Sequence, residues 1–163
     1  MDFTTHYDSH LGSITLASDG KALIGLWFDG QKYYGSTLAS QHEERTNLPI
    51  FDVTRQWLEI YFSGSEPDFM PSLLLQGTEF QMRVWNALLT IPYGQTVTYG
   101  ELAHYLGSPS AQAVGGAVGR NPISIIVPCH RVVGAGGALT GYAGGVDRKC
   151  ALLQLEQKNY FAN

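Results

Sequence analysis

Two capping-box sequences in the second half of the chain constrain its fold more than any other feature. Thr78-x-x-Gln81 precedes an apolar stripe at helical spacing, and Thr98-x-x-Glu101 precedes a second, shorter one that closes at Gly107. In a capping box the Thr side chain and the Gln or Glu three residues later each bond to the other's backbone N–H, which fixes where a helix begins. The sequence therefore predicts a series of short helices from residue 78 onwards.

A third helix is predicted to follow at once, with Ser108 at its N-cap and Pro109 at its first position. It runs through SAQAVGGAVGR and ends at Asn121-Pro122. Two short helices joined by a tight turn have the outline of a helix-turn-helix, which also occurs in proteins that never bind DNA. Each glycine in the third helix costs about 0.5–1 kcal/mol relative to alanine. We therefore expect another surface to approach it closely, either a neighbouring helix or a nucleic-acid backbone.

The first half of the chain has strand patterns instead. HLGSITLAS and ALIGLWF are short β-type segments joined across Asp19-Gly20, a strong hairpin signal, so an antiparallel sheet is predicted. A helix is predicted over residues 52–62. MPSLLLQ, residues 70–76, is either one more extended segment or a linker. These patterns predict an α+β protein that divides near residue 77.

Charge follows the same division. Residues 1–77 hold four basic residues against ten carboxylates, a balance of −6, whereas residues 78–163 hold six against four, a balance of +2. An acidic support and a mildly basic working half are indicated, although +2 is a weak nucleic-acid signal. No basic leader precedes an apolar segment, and no apolar stretch approaches the roughly 18–20 residues of a membrane span. We expect a cytoplasmic protein without a membrane partner.

The cysteine in IIVPCHRVVG, residues 125–134, is the candidate nucleophile. Residues 123–127 are interpreted as a short buried strand, after which Pro128 places Cys129 at a rigid corner. A thiol attacks only as a thiolate, which needs a base or a positive charge such as His130 or Arg131 nearby. Neighbouring side chains of a strand point apart, so direct cooperation of Cys129 with His130 needs a bend or a water. The alternative is a buried structural cysteine.

These segments resemble the signature of the O6-alkylguanine-DNA alkyltransferases, also called methylated-DNA–protein-cysteine methyltransferases. The resemblance covers roughly residues 80–156 and consists of these segments: PYG, TYGELA, NP at 121–122, PCHRV at 128–132, GYAGG at 141–145 and LLQLE at 152–156. It implies a ribonuclease-H-like N-terminal sheet-plus-helix support domain over residues 1–77. It implies a winged-helix-like, helix-turn-helix alkyltransferase domain over residues 78–163.

The resemblance also implies a reaction. An alkyl group on O6 of guanine, or O4 of thymine, in DNA is transferred irreversibly to Cys129, one per protein molecule, with no cofactor and no metal. His130 would act through a water as the base, and Glu156 would hold its imidazole in the useful tautomer. Asn121 would support the turn around the cysteine. Tyr99 would donate a proton toward the leaving guanine and help to rotate the nucleotide out of the duplex.

Two further groups of residues follow from the same resemblance. The pocket for the flipped base would be walled by Val132, Tyr142, Ala143 and Gly144. Double-stranded DNA would be bound through its minor groove by a monomer, with these residues at the interface: Thr98, Ser110, Gln112, Ala113, Val114, Gly115, Ala117 and Arg120.

Gln112 departs from the family pattern. The family usually places an arginine directly before the AVGGA segment, where it fills the gap left by the flipped base, and here that position is Gln112. Arg120, eight residues on, would lie about 12 Å further along a helix and is a poor substitute. We therefore expect weak DNA binding but unaltered transfer chemistry.

Two other classes of function remain in view on the sequence, an enzyme that turns over and a DNA-binding protein without transfer activity. A cysteine hydrolase would use the same Cys, His and acid but would turn over. A non-enzymatic lesion binder related to the alkyltransferases would lack the cysteine, which is present here. A transcription factor would prefer particular unmodified sequences. The second cysteine, Cys150, lies in the last predicted helix and is interpreted as a packing residue.

Overall fold

The computed structural model describes residues 1–157, which form two compact units. The first unit comprises Met1–Gln76 together with Pro122–Ser124, and the second begins at Gly77, leaves at Asn121 and resumes at Ile125. The chain thus divides one residue earlier than predicted, and a three-residue segment returns to the first unit. Lys158, which contributed to the predicted charge balance, lies outside the described residues.

The first unit contains a four-stranded sheet in the order β3-β2-β1-β4. Its strands are β1 (Asp2–Ser9), β2 (Gly12–Ser18), β3 (Leu23–Phe28) and β4 (His42–Glu44). The first three are antiparallel, of which β2 and β3 were predicted, while the short β4 pairs with β1 in parallel. The predicted β2–β3 hairpin is confirmed: Asp19 Oδ1 accepts hydrogen bonds from the N–H groups of Lys21 and Ala22, and Gly20 has φ 104°.

Helix α1 (Pro49–Phe62) begins three residues before the predicted start because Pro49 occupies its first turn, where no N–H is needed. The MPSLLLQ segment is extended, since Leu23 donates its N–H to the Ser72 carbonyl and Leu74 donates to the Leu23 carbonyl. The core of this unit is made by the inner face of the sheet and the apolar face of α1. Its fully buried members include Ile14, Leu16, Leu26, Phe28, Phe51, Leu58 and Tyr61.

The second unit is mainly helical. It consists of α2 (Glu79–Leu88), β5 (Val97–Thr98), α3 (Tyr99–Leu106), α4 (Ala111–Gly119), β6 (Val132–Val133) and α5 (Val146–Glu156). Both predicted capping boxes are confirmed, with Thr78 and Thr98 as the N-caps. Gly107 ends α3 in the left-handed region at φ 68°, as its position predicted. Strands β5 and β6 pair in parallel, and α3 and α4 form the predicted helix-turn-helix pair.

Helix α4 begins later than predicted. Its N-cap is Ser110, whose hydroxyl accepts a hydrogen bond from the Ala113 N–H, and not Ser108. The N–H of Ser108 donates to the Ala103 carbonyl and completes the end of α3. Ser108 therefore belongs to the preceding helix end, and Pro109 lies in the turn rather than in the first turn of α4.

The predicted strand over residues 123–127 is wrong. Only Ile123 pairs with a strand, through Leu26: the Leu26 N–H donates to the Pro122 carbonyl and the Ser124 N–H donates to the Leu26 carbonyl. Ile125 then has φ 72°, a value that a β-branched residue rarely adopts, and it reverses the chain. Residues 124–126 are therefore a buried turn.

None of the helices within residues 1–157 is both long enough and apolar enough to cross a membrane.

Candidate active site

Cys129 lies directly after a very tight turn. Pro128 has φ −84° and ψ 65°, and the Cys129 N–H donates to the Val127 carbonyl at 2.8 Å. These values are those of an inverse γ-turn, a conformation that fixes the direction of the chain in three residues. Asn121 Nδ2 donates to the same Val127 carbonyl at 2.7 Å. The cysteine is therefore held at a rigid corner, and Asn121 supports that corner.

Residues Cys129–Arg131 form one turn of 3₁₀-helix rather than an extended segment. With three residues per turn, side chains next to each other in sequence point about 120° apart. Cys129 and His130 therefore diverge less than they would on a strand, and both are buried.

Burial dominates the acidity of the thiol. It raises the pKa of Cys129 to about 11, against a hydrogen bond from Asn121, the charge of Lys149 and the backbone N–H groups of Cys129 and His130, all of which lower it. In the structure as it stands the thiol is protonated at neutral pH. Any nucleophilic role therefore requires a partner that removes the proton.

His130 is bound to Glu156 by a short hydrogen bond. Its Nε2 lies 2.5 Å from Glu156 Oε2, and both side chains are completely buried. An ionised carboxylate can only accept hydrogen bonds, so the proton of the neutral ring belongs on Nε2 and the basic nitrogen is Nδ1. Burial lowers the pKa of His130, and the hydrogen bond and charge of Glu156 oppose that effect only in part.

Glu156 receives hydrogen bonds at both oxygens. Arg131 Nε donates to Oε1 at 2.8 Å and Nη2 donates to Oε2 at 3.2 Å, and the Gly94 N–H donates to Oε1 at 3.1 Å. Burial alone would raise the pKa of Glu156, but the hydrogen bonds and charges of His130 and Arg131 hold it well below its usual range. Glu156 is therefore a fixed carboxylate, and PYG contributes a backbone donor to it.

Lys149 is a buried cation that the sequence analysis did not identify as part of the site. Its ammonium donates to the carbonyls of Thr140 and Gly141 at 3.0 and 3.3 Å. Burial lowers its pKa to about 8, although the charge of Cys129 opposes this effect. The sequence feature that could have identified Lys149 is its position seven residues before Glu156, because residues at this spacing lie on the same face of a helix.

Tyr99 reaches the same two carbonyls from α3. Its hydroxyl donates to Thr140 and Gly141 at 3.3 and 3.5 Å, and its ring centroid lies 5.7 Å from the Lys149 ammonium. Burial, followed by the charge of Cys129, raises the pKa of Tyr99. Tyr99 and Lys149 thus hold the start of the GYAGG segment from two helices.

The predicted pocket residues occupy two different places. Tyr142 and Ala143 are half-buried in the GYAGG segment, and Gly144 borders a cavity of about 420 Å³ that extends along the start of α5. Val132 is completely buried and pairs with Val97 in the small sheet. The Val132 side chain is thus a core residue of this sheet, and its role as a pocket wall stays a prediction.

Helix α4 places the predicted DNA-contacting residues on two opposite faces. Gln112, Ala113 and Arg120 are exposed. Val114 and Ala117 are buried, and the Ala117 carbonyl accepts a hydrogen bond from Trp85 Nε1. Helical periodicity turns both side chains inward, and their role as DNA contacts stays a prediction.

The remaining predicted DNA-contacting residues have structural roles in this unit. The hydroxyls of Thr98 and Ser110 cap α3 and α4. Gly115 lies over the Tyr99 ring, at a distance where a Cβ would make ordinary contact. Gly116 and Gly119 have nothing within 4 Å of such a Cβ, so packing within the described residues does not require glycine at either position.

Comparison with known proteins assigns this constellation to a family. Residues 79–158 match the domain described as "6-O-methylguanine DNA methyltransferase, DNA binding domain", and residues 3–74 match its "ribonuclease-like domain". The chain belongs to the methylated-DNA–protein-cysteine methyltransferase family. The family's N-terminal and C-terminal domains are therefore both present in this chain.

Two relatives illustrate how much of the chain is similar. The methylated-DNA–protein-cysteine methyltransferase of Mycobacterium tuberculosis is 49% identical, over 93% of this chain and 92% of its own. The Haemophilus influenzae methyltransferase is 42% identical, over 97% and 88%. The crystal structure of Mycobacterium tuberculosis OGT in complex with DNA has a TM-score of 0.86 at 47% identity and covers 96% of this chain and 92% of that protein.

Proposed function

We propose that this methyltransferase repairs DNA by transferring an alkyl group from O6 of guanine, or O4 of thymine, to Cys129. The observation that supports this most is the buried turn that begins at Cys129 and continues with His130, whose ring is hydrogen-bonded to Glu156. A protonated thiol next to an oriented neutral imidazole has the nucleophile, base and orienter arrangement of covalent catalysis.

The reaction balances without a cofactor. His130 Nδ1 takes the thiol proton, through a water as the family resemblance implies, and Cys129 Sγ forms a bond to the alkyl carbon. The bond between that carbon and O6 breaks, and the leaving guanine takes a proton for which Tyr99 is the donor. A thioether is not cleaved under these conditions, so each protein molecule reacts once.

Tyr99 can take this part because its phenol is protonated at neutral pH, and burial, which raises its pKa, keeps it so until the guanine leaves. Its hydroxyl already lies against the carbonyls that begin the GYAGG segment. A base that enters between Tyr99 and Tyr142 would exchange those long hydrogen bonds for its own. The target atom is inaccessible in a stacked duplex, so we propose that the nucleotide is flipped into this pocket.

We propose that the protein binds duplex DNA as a monomer and that the exposed face of α4 contacts the minor groove. This face is formed by Gln112, Ala113, Gly116 and Arg120. Small side chains allow a helix to approach a narrow groove closely. No packing contact within the described residues requires glycine at position 116, so close approach to DNA would explain its presence there. Gln112 is the second residue of α4 and is exposed, which suits a side chain that enters the base stack.

The experiment is a count of turnovers. The protein is incubated with an excess of duplex carrying O6-methylguanine, and restored guanine is measured against protein concentration, with C129S as the control. We expect one guanine restored per protein molecule and none with C129S. Continued release of product would indicate a cysteine hydrolase, and binding of the duplex without restoration would indicate a lesion-binding protein.

A further inference from the structure

The role of Arg131 is not explained by the transfer chemistry alone. It is buried, with about a tenth of its side chain exposed, and three of its hydrogen bonds are made within the site. Two go to the oxygens of Glu156, and Nη1 donates to the Ile91 carbonyl at 2.7 Å. Its guanidinium also lies 5.6 Å from the Tyr93 ring centroid. The planar fork is therefore held in place from three sides.

From this geometry we infer that Arg131 is a positioning residue that keeps His130 uncharged and so available as a base. This inference rests on the proposed function, in which His130 accepts the thiol proton. A buried carboxylate 2.5 Å from an imidazole would by itself favour the imidazolium. Arg131 donates a hydrogen bond to each oxygen of that carboxylate, so Arg131 and Glu156 together carry no net charge. The attraction of Glu156 for a second proton on the His130 ring is therefore cancelled.

The other charged groups around His130 act in the same direction or are remote. Lys149, on α5 with Glu156, and Arg131 both disfavour the imidazolium, and burial disfavours it more than either. Cys129, adjacent in the chain, is protonated at rest because burial raises its pKa. On α2, the other helix packed on this turn, Glu79 and Arg83 are exposed. Arg131 is thus the cation in direct contact with the carboxylate that controls His130.

The sign of the expected change follows directly. When the guanidinium is removed, Glu156 faces His130 without compensation, so the pKa of His130 should rise. The acid limb of the pH–rate profile of the transfer reaction should move to higher pH with it. The reason is that the His130 imidazolium must lose a proton before it can act as the base for the Cys129 thiol. A purely structural arginine would change stability without this directed shift.

The experiment is an NMR titration of ¹³C-labelled histidine in wild type, R131M and R131K. The chain has five histidines, and H130N identifies the resonance of His130. We expect R131M to raise the pKa of His130 by about one pH unit or more, and R131K, which keeps the charge, to stay close to wild type. R148M is the matched control, since it removes an arginine of α5 that donates a hydrogen bond to the Gly144 carbonyl.

Two results would overturn the inference: an unchanged or lower His130 pKa in R131M, or an equal shift in R131K. If R131M does not fold, E156Q and R131M/E156Q provide the same comparison without a buried carboxylate, and the double variant should have the higher His130 pKa. Equality of those two variants would also contradict the inference. The titration needs no DNA and is therefore independent of the repair assay. If the repair assay fails but the His130 pKa shifts as predicted, the proposed function is rejected and the effect of Arg131 on His130 still holds.

Discussion

At the scale of single residues, the site is governed by a few buried charges around one thiol. Cys129 is held as a thiol by burial, and the groups that lower its pKa are few: the Asn121 amide, the Lys149 ammonium and two backbone N–H groups. The Asn121 amide is fixed by its hydrogen bond to the Val127 carbonyl, and the Lys149 ammonium by its hydrogen bonds to the Thr140 and Gly141 carbonyls. The reactivity of Cys129 should therefore respond measurably to the loss of a single charge.

Lys149→Met should slow alkylation of Cys129 by iodoacetamide. Loss of a positive charge raises the pKa of the thiol, and each pKa unit lowers the thiolate fraction about tenfold, so we expect a decrease of about three- to tenfold at pH 7. Since the pKa of Lys149 is about 8, wild-type Lys149 loses its charge above that pH and the difference should shrink there. Lys149→Arg is the control. A difference that does not depend on pH, or one shared by the Arg variant, would contradict this account.

Glu156→Gln should slow methyl transfer by about 100-fold or more while leaving affinity for duplex DNA nearly unchanged. The amide can present its NH₂ group to His130, which disturbs the tautomer, and it leaves Arg131 without its counter-charge. The measurements are single-turnover rate and duplex affinity, with thermal stability measured in parallel to verify folding. Transfer at the wild-type rate would exclude the relay.

At the scale of elements, α4 carries the proposed DNA-binding function. Its inner face is fixed by Val114, Ala117 and Val118, so any change on the outer face can be made without disturbing the core. Gln112 and Gly116 lie on that outer face, four residues and therefore about one turn apart. They permit two independent tests.

Gln112→Arg should tighten binding to duplex DNA and accelerate repair in duplex. A guanidinium supplies the charge and the stacking area that a neutral amide lacks. The reaction with free O6-benzylguanine needs no flipping and should be almost unchanged. The two rates are measured side by side. Equal acceleration on the free base, or no gain on duplex, would show that residue 112 does not enter the base stack.

Gly116→Ala should stabilise the protein by about 0.5–1 kcal/mol and weaken duplex binding. A Cβ at this position meets nothing within 4 Å, so only the helix propensity changes within the protein. An approaching groove would meet the added methyl. Chemical denaturation and duplex affinity are measured together, with Val118, which is buried on the opposite face, changed to Ile as the control. Unchanged duplex affinity would place the groove elsewhere.

The elements differ in how well the sequence predicted them. The starts of α2 and α3 were predicted because a capping box is read from four consecutive residues. The start of α4 was predicted two residues early, because Ser108 and Ser110 are equally good caps in the sequence. Two hydrogen bonds of the fold distinguish them: the Ser110 hydroxyl accepts from the Ala113 N–H, and the Ser108 N–H donates to the Ala103 carbonyl. Strand β1 was not predicted at all, since DFTTHYDS lacks an apolar face and buries Thr4 and Thr5 instead.

At the scale of the whole molecule, the features that local patterns missed depend on residues distant in sequence. The return of Pro122–Ser124 to the first unit depends on pairing with Leu26. The roles of Arg131 and Lys149 depend on groups that only the fold brings together, namely Glu156 and the Thr140 and Gly141 carbonyls. Cys129 and His130, by contrast, were identified because their sequence motif is itself the site.

The central claim is that Cys129 is the methyl acceptor, and peptide mass spectrometry tests it most directly. After reaction with duplex carrying O6-methylguanine, trypsin releases Cys129 in residues 121–131 and Cys150 in residues 150–158, so the two thiols are separated. We predict one added methyl group on the first peptide and none on the second. A methyl group on the second peptide, or restored guanine with neither peptide methylated, would contradict the account.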